Sequence, residues 1–250
     1  MTRTVLVTGG ARRIGAAIAE RLAADGWRVV IHAHASGEQA RRTAARIGAA
    51  GVVEGDLGDA DAVARVFAEA REVAGGMVAG LVNSASLFEF DRPPEVDAGL
   101  MARLMAVNLT APALLASALA AQEGLAEGAV VNLLDQKVAN LNPDFFSYSC
   151  TKVALEGATA MLAQALAPRV RVNAVAPGLT LPSGDQSAEE FAATGSQNLL
   201  CRPVGAEAVA DGVAYLLSAR SVTGQTLFVD CGQRFLKRDG DVMFEGRDGG

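Results

Sequence analysis

Thr4-Val5-Leu6-Val7-Thr8-Gly9-Gly10-Ala11-Arg12-Arg13-Ile14-Gly15 is a short β-rich run that breaks into a glycine-rich turn. A helical pattern follows through Asp25 and stops at Gly26. Strand, glycine-rich turn and helix in that order form the context a phosphate-binding turn requires. Gly9 allows the tight turn, and Gly15 lets the helix lie close to the sheet or to a cofactor. Free N–H groups at the helix start then face a diphosphate. At the first strand of an α/β chain this pattern predicts dinucleotide binding.

The same alternation continues outward. Strands are expected at Arg28–His32, Gly51–Glu54, Gly80–Asn83, Ala129–Leu134, Val170–Ala174 and Thr226–Asp230. Helices are expected from about Asp59 to Ala74, Met101 to Gln122, Phe146 to Ala167 and Ala206 to Ser218. No composition break or internal repeat interrupts them. The pattern predicts an α/β fold with a doubly wound parallel sheet of about seven strands, in a single domain over residues 1–236. The small polar stretch 180–203 reads as a mobile lid, and the charged, glycine-rich tail 237–250 as flexible.

Open α/β sheets bind ligands at the carboxyl ends of their strands. After the second strand come His32-Ala33-His34-Ala35-Ser36, with no acid before Glu38 to hold a ribose 2′-hydroxyl. Arg12, Arg13, Arg41 and Arg42 lie nearby, a balance that favours a 2′-phosphate and hence NADPH. Ser36 also fits a helix N-cap, with Gln39 completing a capping box. His32 and His34 share one side of the strand; two histidines without further ligands make a poor metal site, so they line the adenosine pocket or are structural. Asp56 either bonds the adenine amino group or caps the next helix. Small residues in Ser84-Ala85-Ser86 would let backbone approach a ligand, and Phe88 is a loop anchor or a stacking platform for a flat ring. Asn108 is an unfavourable mid-helix residue that faces solvent or bonds freed backbone at a kink near Pro112.

Tyr148-Ser149-Cys150-Thr151-Lys152 places a phenol and an ammonium four residues apart on one helix face. A nearby ammonium lowers a phenol's pKa, so the pair can act as a tuned acid/base. Cys150 within it is expected to be a small buried packing residue.

Half of the 250 residues are hydrophobic and 20% are charged, enough apolar mass for a sizeable core. A net charge of −6 argues against nucleic acid as a partner. No run reaches the ~18 uninterrupted apolar residues of a membrane span. The N-terminus lacks a signal-peptide layout. Cys150, Cys201 and Cys231 are odd in number and lack metal spacing, so they read as reduced thiols of a cytoplasmic protein, with no metal.

Together Thr8-Gly9-x-x-x-Arg13-x-Gly15, Asp56-Leu57, Asn83-Ser84-Ala85, Asn108, Tyr148-x-x-x-Lys152 and Pro177-Gly178 resemble the short-chain dehydrogenase/reductase family over about residues 4 to 235. Two departures narrow the resemblance. Arg13 stands where most members have glycine. Asp135, thirteen residues before the tyrosine, stands where most have serine. Both are shared with pteridine reductases and dihydromonapterin reductases, which also place an aromatic after the fourth strand, as Phe88 does here. The arginine that often precedes the 2′-phosphate serine is Ala35 here.

The resemblance implies NADPH bound by Gly9, Arg12, Arg13, Ile14, Gly15, His34, Ser36, Asp56, Leu57, Asn83, Ala85, Ser86, Tyr148, Lys152, Pro177, Gly178 and Leu179. It implies a pterin or folate substrate against Arg13, Ser86, Phe88, Asp135 and Tyr148. Asp135, Tyr148, Lys152 and Asn108 would be catalytic, with Asn108 keeping a water in the proton path. It also implies a homotetramer built on the Met101 and Phe146 helices. A carbonyl or 3-oxoacyl reductase is the alternative on the same scaffold, and a non-catalytic nucleotide-binding protein the alternative outside it.

Overall fold

A computed structural model describes residues 3–182 and 187–242. Seven parallel strands form one sheet in the order β3-β2-β1-β4-β5-β6-β7. They are β1 (Thr4–Thr8), β2 (Arg28–Ala33), β3 (Gly51–Glu54), β4 (Val78–Asn83), β5 (Gly128–Leu133), β6 (Val170–Pro177) and β7 (Thr226–Val229). The helices are α1 (Arg13–Ala24), α2 (Gly37–Ile47), α3 (Ala60–Ala74), α4 (Ala98–Met105), α5 (Ala111–Ala120), α6 (Phe146–Leu166), α7 (Ala188–Thr194) and α8 (Ala206–Ser218). The doubly wound α/β expectation holds.

Parallel strands covered on both faces need apolar side chains on both. Val5 and Val7 of β1 pack under α1 and α8, whereas Leu6 points to the other layer with Phe67 and Leu115. The strand order reverses between β1 and β4, and the crevice this leaves at their carboxyl ends is where such sheets hold ligands.

The expected Met101–Gln122 helix starts and ends earlier and is not uniform: α4 and α5 are joined by a π-turn at Ala106–Thr110 containing Asn108. Such a bulge re-aims side chains without ending a helix. The continuous Ala98–Ala120 segment has a mean hydropathy of 1.4 and is long and apolar enough to cross a membrane by length and composition alone. Here it packs against α3 and α6.

Several local expectations change. Ser36 precedes α2 but makes no side-chain cap bond, so the capping box with Gln39 is not formed. Glu38 instead pairs with Arg42 one turn on. Asp59, not Asp56, caps α3 by accepting from Asp61 N, while Asp56 accepts from Gly58 N. Within the segment expected as a lid, Ala188–Thr194 is helical, with a capping box between Ser187 and Glu190; residues 183–186 lie outside the described residues. In the tail expected to be flexible, Asp241 N donates to Asp144 Oδ2 at 2.7 Å and Val242 is buried. That part of the tail is docked because buried partners await it; residues 243–250 lie outside the described set.

Candidate active site

The turn after β1 is built as its glycines require. Gly9 has φ +63°, and a side chain there would lie 2.9 Å from Ala85 Cα. A Cβ on Gly15 would lie 2.2 Å from the Gly9 carbonyl oxygen, so the start of α1 can sit against the turn only as glycine. The first turn of α1 carries no acidic side chain, and Arg12 makes no side-chain cap bond, leaving the helix end positive. Ile14 is half-buried beneath it, packed on the core. The Thr8 hydroxyl accepts from Ser84 N and Ala85 N at 3.0 and 3.1 Å, tying the two glycine- and alanine-lined turns together. Thr8 was legible only as part of the motif, and its bonding role was missed.

His32 is structural. Gly9 N–H donates to its Nδ1 at 3.4 Å and its Nε2 donates to Gly55 O at 3.0 Å, which fixes one neutral tautomer. Burial pushes its pKa down, in keeping with that neutral state. His34, half-buried Ser36 and exposed Asp56 lie around the ends of β2 and β3, with Leu57 buried beside them. Arg41 and Arg42, expected to meet a 2′-phosphate, pair with Glu54 and Glu38 at 2.7 and 2.5 Å. Both pairs are exposed, where such contacts hold weakly.

Other expectations are redirected. Arg13, in the left-handed region at φ +55°, donates to Pro182 O at 2.6 Å rather than into the turn. Asn83, expected at the cofactor, directs its side-chain N–H to Asn132 Oδ1 at 2.8 Å within the sheet. Pro177 ends β6, and Gly178 approaches Asp230 so closely that a Cβ would lie 2.9 Å from its Cα. The Leu179 N–H donates to Gln233 Oε1 at 2.7 Å. The Asn108 side chain is engaged: its Oδ1 accepts from Leu87 N at 2.9 Å, and its Nδ2 donates to Leu87 O and to Thr151 Oγ1. It thereby fastens the Ser86–Phe88 loop to α6, and Ser86 Oγ adds a 3.2 Å contact to the same amide.

Asp135, Tyr148 and Lys152 come together, as expected. The Tyr148 hydroxyl donates to Asp135 Oδ2 at 3.0 Å, and Asp135 Oδ1 accepts from Lys137 N at 2.9 Å. The carboxyl is thus both a helical-turn cap and the phenol's partner. Lys152 Nζ donates to Leu133 O at 2.8 Å and lies 5.5 Å from the Tyr148 ring centroid. Desolvation pushes the Asp135 carboxyl up, against the opposing pull of its bond to Lys137 N and of the Lys137 charge. Burial lowers Lys152 to about 8, with Asp135 opposing.

The expected lowering of the tyrosine pKa by Lys152 is overturned. Burial and the adjacent Asp135 hold the phenol well above its ordinary value. The reason is geometric: the carboxyl touches the hydroxyl, whereas the ammonium is held on the Leu133 carbonyl. A phenol of this kind keeps its proton at neutral pH. Cys150, expected to be buried, is half-buried, and burial pushes its thiol up, away from nucleophilic reactivity.

Phe88 stacks on Phe145 with centroids 4.1 Å apart and meets the Tyr148 ring edge-on at 4.7 Å. Phe145, in the left-handed region at φ 52°, begins α6, and nothing in its local sequence beyond the Phe145-Phe146 pair pointed to this role. Asp91, also missed, takes the capping role Phe145 cannot fill. It accepts from Ser147 N at 2.8 Å and Ser147 Oγ at 2.5 Å, so one loop carries both Phe88 and the cap of α6. Asp91→Ala, which strands two buried donors, is expected to cost about 2–4 kcal/mol. A thermal melt should show a fall of roughly 5–15 °C.

A family model described as enoyl-(acyl carrier protein) reductase matches residues 9–234. The crystal structure of FolM alternative dihydrofolate reductase 1 from Brucella canis, complexed with NADP, superimposes with a TM-score of 0.90. Its identity is 43%, covering 96% of each chain. A dihydromonapterin reductase from Enterobacter sp. is 29% identical over 92% of this chain and 96% of its own. A 3-oxoacyl-[acyl-carrier-protein] reductase from Staphylococcus aureus is 31% identical over 93% and 98%. With its glycine turn at the sheet's switch point, its Tyr148/Lys152 pair on α6 and a family match running nearly end to end, the chain belongs to the short-chain dehydrogenase/reductase family.

Proposed function

We propose that this protein reduces a dihydropterin, of the dihydrobiopterin, dihydromonapterin or dihydrofolate class, using NADPH. The Asp135–Tyr148 hydrogen bond carries this reading. A ketone reductase needs neutral donors around one carbonyl oxygen. A pterin instead offers an amino group and ring nitrogens side by side, which a carboxyl can bond. The similarity to proteins named dihydromonapterin reductase and alternative dihydrofolate reductase supports the same substrate class.

The residues around the first turn fit a dinucleotide. A Cβ at Gly9 or Gly15 would close the turn's approach to Ala85 and to its own carbonyl. Gly9, Arg12, Ile14, Gly15, Ala85 and Ser86 would hold the diphosphate side, and Ser36 and His34 the 2′-phosphate. NADPH supplies the hydride when bound. Gly15→Ala is expected to weaken NADPH binding at least about tenfold, read by cofactor fluorescence titration.

Tyr148, kept protonated by its surroundings, gives its proton to the ring nitrogen beside the reduced carbon. Asp135 would orient the pterin and relay a proton from solvent to the phenolate that the transfer leaves. Lys152 would hold the nicotinamide ribose hydroxyls. Phe88, with Phe145 behind it, forms a wall for the flat ring. Asn108, its side chain fully engaged, would keep a water on the proton path through its backbone. The 180–203 segment would act as a lid, joined to the cofactor turn through Arg13 and Pro182.

Exposed Leu114 of α5 and Val153 and Met161 of α6 offer apolar faces for a homotetramer working in the cytoplasm. A carbonyl or 3-oxoacyl reductase stays the second reading, favoured by the similarity to the Staphylococcus aureus enzyme. Steady-state turnover across dihydropterins and small ketones separates the two. Saturable NADPH oxidation with a dihydropterin is expected, and fast ketone turnover with no pterin activity would refute it.

A further inference from the structure

Leu236–Val242, the last described stretch, folds back onto the loop that joins Asp135 to α6. Asn140 Nδ2 donates to Leu236 O at 2.9 Å, and Asn142 Nδ2 to Gly240 O at 3.3 Å. Asp241 N donates to Asp144 Oδ2 at 2.7 Å, and Lys137 Nζ to Asp241 Oδ2 at 2.8 Å. The fit is close: a Cβ on Gly240 would lie 2.9 Å from Asp144 Oδ2.

Lys137 is the hinge of this arrangement. It is 3% exposed, and its ammonium also donates to Asp144 O and Asn142 Oδ1, so all three of its hydrogens are used. Its backbone N–H is the donor to Asp135 Oδ1. Its ammonium lies 5.4 Å from the ring centroid of Phe145, on which Phe88 stacks. A buried ammonium needs a counterion. The neighbouring Asp144 carboxyl is engaged by Arg92 and by Asp241 N, so the carboxylate that meets Lys137 comes from the C-terminal segment.

We propose that the C-terminal segment 236–242 belongs to the active site, with Asp241 acting through Lys137 as a positioning residue that sets the placement and charge state of Asp135. This rests on the reading of Asp135 as the proton partner of Tyr148. The charged and titratable groups facing Asp135 are Tyr148 and Lys152 from α6, Lys137 from the turn after β5, and Asp241 from the C-terminal segment. Asp241 pushes the carboxyl up and Lys137 pulls it down, so the two act in opposition.

That opposition gives a signature that loss of packing alone would not produce. The pH dependence of kcat at saturating NADPH is measured for wild type, Asp241→Asn, Lys137→Met and the double variant, with thermal melts alongside. In Asp241→Asn the limb due to Asp135 moves to lower pH, and in Lys137→Met to higher pH, each by about half a pH unit or more. The double variant, with both charges gone, returns towards wild type, and Asp241→Glu restores the wild-type limb. Shifts in the same direction, no shifts, or activity lost only in step with melting temperature overturn the proposal. If wild type turns over a ketone and no dihydropterin, the pterin reading fails, yet the same limbs read on the ketone still decide the role of Asp241.

Discussion

Replacing Tyr148 with phenylalanine lowers kcat at least about a hundredfold, well beyond the smaller changes in NADPH affinity and melting temperature that losing one hydrogen bond brings. The ring stays buried against Phe88 and only the hydroxyl is lost, whose partner is Asp135 Oδ2. The group removed is the one whose surroundings hold it protonated far into alkaline conditions. The loss therefore falls on the proton-transfer step and not on the fold. Stopped-flow decay of NADPH absorbance, run beside cofactor titration, separates the two. Unchanged turnover in this variant would mean that Tyr148 is not the proton donor, and NADPH binding with no turnover even in wild type would mean a nucleotide-binding protein without catalysis.

Asp135→Ser gives the second large effect. Dihydropterin turnover is expected to fall by about two orders of magnitude or more, and ketone turnover, where any is measurable, less than about tenfold. Serine restores a neutral donor suited to one carbonyl oxygen but removes the carboxyl that matches an amino–ring-nitrogen pair. Equal losses on both substrates would contradict the role assigned to Asp135. The variant also carries a stability signature. Burial raises this carboxyl above its unfolded value, so its protonated form favours the folded state. That contribution is full below the unfolded carboxylate pKa and is lost as pH rises through the folded one. Relative to Asp135→Ser, wild type should lose melting temperature as pH rises through that window.

Much of this site was open to sequence because its chemistry is tied to local pattern. Gly9 and Gly15 follow a β-rich run, and Tyr148 and Lys152 share a helix face; the spacing of that pair is weak by itself and gained its meaning from the ordered motifs around it. The parallel, doubly wound sheet followed from strict strand–helix alternation, whereas its strand order is seen only in the structure. What stayed hidden depends on contacts distant in the chain. Asp91 caps α6 from across 56 residues, and Lys137 meets Asp241 across 104, and no local period encodes either. The phenol's raised pKa was misjudged for a related reason: residue spacing shows that an ammonium is near, but not that a backbone carbonyl already engages it. The tail looked flexible because glycine and charge usually mean solvent. Here one of those charges, Asp241, finds a buried partner in Lys137.

A crystal structure with NADPH and a tight-binding pteridine such as methotrexate tests the pterin assignment most directly. The expected result is the heterocycle lying flat beside Phe88, with the Asp135 carboxyl and Tyr148 hydroxyl within hydrogen-bond distance of its amino and ring nitrogens. A pteridine bound elsewhere, with Asp135 engaged only by Lys137 and Tyr148, would contradict it.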